Sequence, residues 1–466
     1  MWEDLFPSVL QWREERVEQR EEAMPFLHGF RRIVYEYQPL VDAVMCVVGA
    51  EEGESTQDRI ESEDGMCRSL VDLLEKESQS SVFEEGISYA LFKVAERGLV
   101  NAGEVLLRYG ADLNFEDPVS YYNPLHIAVL RNRPSMVRML VERGAEIDKR
   151  DRIHESSPLD LASEEADRVP CLRALLDLGA DVNAKDKNGK TALLHALASS
   201  DGLTVNNTDN IQLLLERGAD VQAATQDGET AVSSLVFLVK EALEGSPEDA
   251  AQIGNFCTRV AQLLLSHGAD PSCCLCSGEG DEEEEEDGEP SLTQTCLEFF
   301  DLLFPLAALL LQRGASFFCS CHGAACWTGH RLIFRRLAAT LSGNLDAGET
   351  ADLLAKAEAL LELALLCCPV LPPLPPCLEL PVSDQGPGAQ ALLELHSRLR
   401  EQETRPLPLR CLCRGFIRRC LQPWPLQDKV NSLPLPDRLK EYLIPENKLI
   451  HRPGWDTFKP HHTLRS

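Results

Sequence analysis

Asn123-Pro124-Leu125-His126-Ile127-Ala128 is followed, a dozen residues on, by Leu140-Val141-Glu142-Arg143-Gly144-Ala145-Glu146, and this pair of phrases decides the fold. The first phrase returns as Ser157-Pro158-Leu159-Asp160-Leu161-Ala162 and as Thr191-Ala192-Leu193-Leu194-His195-Ala196. The second begins at Leu106, Leu140, Leu175, Leu214, Leu264 and Leu310, with its glycine at 110, 144, 179, 218, 268 and 314. Each phrase has a physical reading. A Ser, Thr or Asn caps a helix, Pro suits its first turn, and the Leu and Ala positions pack inward. The Leu-Leu pair belongs to a second helix, which ends at a glycine in the left-handed conformation. The chain therefore reads as stacked helix pairs.

The glycine steps are 34, 35, 39, 50 and 46 residues. The early steps and the Thr-Pro-Leu-His-x-Ala pattern resemble ankyrin repeats, whose period is about 33. That resemblance implies an all-α ankyrin-repeat solenoid with short β-hairpin loops. The 50-residue step holds an insertion around Gly245 to Asn255, expected as a loop between units. The 46-residue step holds Ser277-Gly278-Glu279-Gly280 and the acidic run Asp281 to Asp287, expected as a solvated loop spanning 277–290.

The flanks divide as follows. Residues 1–23 are a charged extension. Residues 24–81 form an N-terminal helical cap, with helical spacing over Phe26 to Ala50 and Cys67 to Lys76 and an acidic loop from Glu51 to Glu63. The repeats occupy 82–340, beginning with a helix pair over Val82 to Arg108 that lacks the start phrase. Residues 341–404 hold a helix at Thr350 to Leu366, a proline-rich linker over Pro369 to Gly388, and a helix at Ala389 to Glu403. A distinct module covers 405–444, and 445–466 is a tail.

Charge separates that module from the rest. The 466 residues carry 75 acidic against 45 basic side chains, a net charge of −30, but Arg405 to Ser466 has a balance of +7. So acidic a chain is a poor binder of nucleic acid, where Lys and Arg supply the affinity. Met1-Trp2-Glu3-Asp4 does not open a signal peptide. The apolar run Leu302 to Leu311 is half of the about 20 residues that span a bilayer. Seventeen cysteines, an odd number at irregular spacing, favour buried thiols in a reducing compartment over a disulfide framework. These readings predict a cytoplasmic protein without membrane insertion.

In the 405–444 module, Leu409, Cys413 and Ile417 recur at helical spacing, with Leu412, Phe416 and Cys420 beside them. Arg410, Arg414, Arg418 and Arg419 lie largely outside that stripe. Pro423-Trp424-Pro425 forces a turn. Leu433-Pro434-Leu435-Pro436 follows, then a short helix with Leu439, Tyr442 and Leu443 on one side. Forty residues with two short stripes make no independent core. The repeats can cover one side, and an external partner is the natural cover for the other.

Pro408-Leu409-x-x-x-Cys413-x-x-x-Ile417 resembles the elongin-binding half of a SOCS box, and Leu433-Pro434-Leu435-Pro436 the half that selects cullin-5. Repeats followed by this box resemble the ankyrin repeat and SOCS box proteins. Asp151 to Glu165 and Gly189 to Gly202 are similar to that family, and the likeness runs from Met24 to Leu443. It implies a C-terminal three-helix SOCS box and a substrate receptor for an elongin B/C–cullin-5 ubiquitin ligase with its RING-box protein. Leu409, Cys413, Phe416 and Ile417 would meet elongin C, Leu433, Pro434, Leu435 and Pro436 would meet cullin-5, and the repeats would hold a protein substrate. The chain would be a non-catalytic subunit, with ubiquitin transferred by proximity to a recruited E2. The rival is an ankyrin scaffold that links signalling proteins without ubiquitin transfer.

Other sites are weighed against this one. Lys187-Asn188-Gly189-Lys190-Thr191 lacks the earlier glycine of a phosphate loop, having Ala184 there. Cys273-Cys274-Leu275-Cys276 and Cys319-Ser320-Cys321-His322 with Cys326 hold enough zinc donors, but the spacing fits no familiar zinc module. Buried or tolerated thiols are the preferred reading, with no metal and no cofactor assigned. His126 and His195 are read as structural residues that bond nearby backbone. Hairpin tips and inner helices make Tyr121, Tyr122, Arg150, Arg152 and His154 the candidate substrate contacts, with packing of the tyrosines on the next repeat as the alternative.

Overall fold

A computed structural model describes residues 28–49, 58–272, 290–342, 346–368, 371–374, 387–404, 408–421 and 426–444. The extension 1–23, the acidic run, most of the proline-rich linker, Pro423-Trp424-Pro425 and the tail lie outside the described residues. The chain forms two compact units, residues 1–146 with 151–153, and residues 147–150 with 154–466.

The first unit contains α1 (His28–Gly49), α2 (Asp58–Glu77), α3 (Phe83–Arg97), α4 (Val100–Arg108), α5 (Pro124–Leu130) and α6 (Pro134–Glu142). Helices α1, α3 and α5 pack in sequence as one layer, and α2, α4 and α6 as a second. The N-terminal pair thus stacks in the same way as the pairs after it. Helix α2 starts at Asp58, inside the stretch expected as a loop.

The second unit, by itself, contains α7 (Pro158–Ser163), α8 (Val169–Asp177), α9 (Ala192–Ala198), α10 (Thr208–Glu216), α11 (Ala231–Glu244), α12 (Pro247–Ser266), α13 (Leu292–Glu298) and α14 (Phe304–Arg313). A hairpin of β1 (Phe318–Cys319) and β2 (Gly323–Thr328) leads into α15 (Gly329–Leu341), α16 (Ala347–Cys367) and α17 (Pro387–Thr404). Odd-numbered helices from α7 to α17 contact one another in order, as do even-numbered helices from α8 to α16. The pair α15–α16 therefore packs on α13 and α14 as one more unit of the stack.

The recurrent phrase explains the stack. All six glycines have φ between 89° and 104°, a region open to glycine without a Cβ clash. In every case the following N–H bonds the carbonyl of the phrase's first leucine, as in Ala145 to Leu140 at 2.9 Å. Those six leucines are at most 1% exposed. Asn123 and Ser157 make reciprocal capping boxes with His126 and Asp160. Turns stitch neighbours together: Asn183 donates to the Gly218 carbonyl and Gln222 to that of Gly268. Loops close as hairpin turns, such as Asp186 N–H to the Lys190 carbonyl.

Three expectations change. The insertion around Gly245 to Asn255 is helical over most of its length, because Ser246 caps α12 with Pro247 in the first turn and Glu248 and Asp249 behind it. Thr191 occupies an N-cap with extended backbone but its hydroxyl makes no capping bond. Its reciprocal position is Leu194, which has no polar group to return. His195 stands one residue beyond the signature position, about 100° further round the helix. Its ring therefore meets the carboxylates of Asp186 at 3.2 Å and Glu164 at 3.3 Å rather than backbone.

Candidate functional site

Three helices close the second unit, α18 (Leu409–Leu421), α19 (Leu426–Ser432) and α20 (Asp437–Leu443). Helix α18 packs on α16, continuing the even-numbered layer, while α19 contacts α12. The module has a small core of its own in Leu426, Val430 and Leu443, with Ile417, Leu421, Leu433, Leu435 and Ile444 packed against it.

Helix α18 wears its amphipathicity in reverse. Leu409, Leu412, Cys413, Phe416 and Cys420 share one face, and it points to solvent: Leu409 is 75% exposed, Leu412 52% and Phe416 65%. The opposite face carries Arg414, Ile417, Arg418 and Leu421, with Arg414 4% and Arg418 1% exposed. A buried guanidinium is costly unless it finds partners. Arg418 donates to the carbonyls of Leu443 at 2.6 Å and Gln312 at 3.2 Å, joining α20 and the end of α14 to α18. Arg414 lies over the Tyr442 ring, 4.9 Å from its centroid. Burial lowers the Arg418 pKa, and the neighbouring Cys367 and Cys368 work against that shift. Burial also pushes the Cys368 thiol up to about 12.

Leu433-Pro434-Leu435-Pro436 bridges α19 and α20. Leu433 and Leu435 turn toward the module's core, whereas Pro434 and Pro436 are exposed. Leu435 N–H bonds the Leu433 carbonyl at 2.8 Å, and Pro436 has extended φ and ψ of −56° and 146°. Among the residues expected at the elongin face, Leu409, Cys413 and Phe416 lie on the open stripe. Ile417 does not; it packs against Leu426, Val430 and Leu443. Leu412 joins the stripe in its stead. Leu439 and Leu443 share one side of the last helix, which is buried at Leu443 and exposed at Leu439.

The candidate substrate contacts divide between the two units. In the first, Tyr121 and Tyr122 are half-buried, with Tyr121 at φ 56° and the Tyr122 ring 5.7 Å from that of His126. Arg152 is exposed and pairs with Glu116. In the second, His154 is exposed, but Arg150 is committed to the fold through Asp160 at 3.1 Å and the Glu155 carbonyl. Two exposed apolar side chains at loop tips, Val119 and Ile153, were missed. Their signal was an apolar residue in a polar turn, as in Pro118-Val119-Ser120 and Arg152-Ile153-His154.

Comparison with known proteins accords with this geometry. The SOCS box family model matches residues 405–444, which contain α18 to α20. Ankyrin-repeat models match 61–151 as three copies and 159–202 as part of a longer array. The proteins named "Ankyrin repeat and SOCS box protein 6" from Homo sapiens and Pongo abelii are each 53% identical over 429 residues, 91% of this chain and 98% of the relative. The Mus musculus protein of the same name is 53% identical over 425 residues. The chain belongs to the ankyrin repeat and SOCS box family. As a member it is a SOCS-box adaptor, with α18 to α20 as the box and ankyrin helix pairs ahead of it. Among the described residues, no helix is long and apolar enough to cross a membrane.

Proposed function

We propose that this chain is the non-catalytic, cytoplasmic substrate receptor of an elongin B/C–cullin-5–RING ubiquitin ligase. The supporting observation is the apolar face of α18, held outward while the arginines behind it are buried. Leu409 fits the role of an anchor in an apolar pocket of elongin C, flanked by Leu412, Cys413 and Phe416. Burying such a leucine contributes about 1.5–3 kcal/mol. Ile417 acts behind the interface by holding the box together. Pro434 and Pro436, exposed on a short extended segment, meet cullin-5 with little ordering cost. The repeats, residues 82–340, hold the substrate protein, with Tyr121, Tyr122 and Arg152 joined by Val119 and Ile153 as the contact candidates of the first unit. Box and repeats then differ in duty: one recruits the ligase and the other chooses the target.

Co-purification of the full chain with elongin B/C and cullin-5 tests the assignment. Wild type is expected to retain all three, and Pro434→Ala with Pro436→Ala to keep elongin B/C while losing cullin-5. These prolines are the better target, since Leu433 and Leu435 serve the core. Failure of the folded wild type to retain elongin B/C would instead favour a scaffold that transfers no ubiquitin.

A further inference from the structure

The hairpin between α14 and α15 gathers side chains that the adaptor role does not use. Cys319 ends β1, His322 sits in the turn, and Cys326 lies on β2. The register pairs Cys319 with Gly323, and Gly323 closes the turn at φ 71°, a conformation open to glycine. Cys319 is buried, whereas His322 and Cys326 reach the surface. The donor atoms of all three lie within 4.8 Å of one another.

We propose that Cys319, His322 and Cys326 form a zinc site that pins this hairpin. Tetrahedral zinc with Zn–S near about 2.3 Å and Zn–N near about 2.05 Å sets the sulfur and nitrogen about 3.6 Å apart. Cys319 Sγ and His322 Nδ1 are 3.6 Å apart. The backbone N–H of His322 also donates to Cys319 Sγ at 3.3 Å, a bond that favours the thiolate over the thiol. Two thiolates and an imidazole are a soft donor set suited to zinc and poor for magnesium or calcium. On binding, each thiol releases its proton to solvent, the neutral imidazole gives its Nδ1 lone pair, and the two thiolate charges balance the dication. A water or another donor completes the fourth position. Cys-x-x-His-Gly followed by x-x-Cys is a compact turn rather than a long-loop module, which is why its spacing resembled no familiar one.

Cys321, in the same turn, is disulfide-bonded. Ser320 N–H bonds the Ser272 carbonyl, so the chain preceding the first cysteine cluster already runs beside this turn.

Metal analysis of the full-length chain, purified without chelator under reducing conditions, tests the site. Wild type should hold about one zinc per chain, falling toward zero in His322→Asn and in Cys326→Ser. Both side chains are exposed, so circular dichroism of the variants should match wild type. A second readout needs no variant: cobalt added to the metal-free chain should give thiolate-to-cobalt charge transfer and the visible bands of tetrahedral cobalt. Folded wild type holding less than roughly 0.1 zinc and showing no such bands would overturn the proposal, as would zinc retained undiminished by both variants.

Discussion

His195 shows how one residue's offset changes its chemistry. At the signature position, His126 accepts the Asn123 N–H through Nδ1 and completes a capping box. Placed one residue later, His195 sits among Glu164, Asp186 and Asp160. Burial alone would lower its pKa; the Glu164 hydrogen bond and the three carboxylate charges outweigh burial and raise it above 6.5. A group whose folded pKa is raised stabilises fully below its unfolded value, and that contribution is lost as pH rises through the folded one. The melting temperature should therefore fall between about pH 6 and about pH 8 more steeply for wild type than for His195→Gln. Equal slopes would mean that folding leaves the histidine's pKa unchanged. The sequence showed the histidine but not its partners, because Asp186 and Glu164 reach it only after the helices are stacked.

Among the elements, the helix ends were the most legible. Gly218 has φ 89° and open space where a Cβ would stand, so Gly218→Ala should cost about 1–2 kcal/mol from backbone strain alone. Denaturant unfolding measures this, and an unchanged midpoint would contradict the strained-cap reading. Helix α12 was harder to read because an interrupted period resembles a loop, although Ser246-Pro247-Glu248-Asp249 carried a complete start signal. Helix α18 was legible as a stripe but not as an orientation. Periodicity separates two faces without saying which is buried, and the Gln312 and Leu443 carbonyls, with the core contacts of Ile417 and Leu421, make the arginine face the inner one. Arg418→Met keeps the stem and removes both bonds, each worth about 1.5–3 kcal/mol when the donor is charged. Removing the buried charge offsets part of that loss. Hydrogen exchange in α18 to α20 should rise by about tenfold or more while α3 and α5 are unaffected. Unchanged exchange in the box would show that the apolar contacts alone hold it.

For the molecule as a whole, stacking and function share one device. Helix pairs add in alternate layers, and α18 joins the even-numbered layer behind α16, so the box is built onto the last pair. The repeats were readable because one phrase recurs with its glycine and leucine, and each copy solves the same local problem. The zinc donors were visible in the sequence as well, but at a spacing that matches no familiar module, and the folded hairpin is what brings their atoms within 4.8 Å of one another. The central claim is that the outward face of α18 is the ligase-binding surface. Calorimetric titration of elongin B/C into the full chain tests it most directly, with wild type beside Leu409→Asp and Phe416→Asp. Both side chains are exposed, so melting temperatures should hold, while each variant should lose at least about 2 kcal/mol, roughly thirtyfold in affinity. Binding by wild type that both variants match, or no binding by folded wild type, would contradict the account.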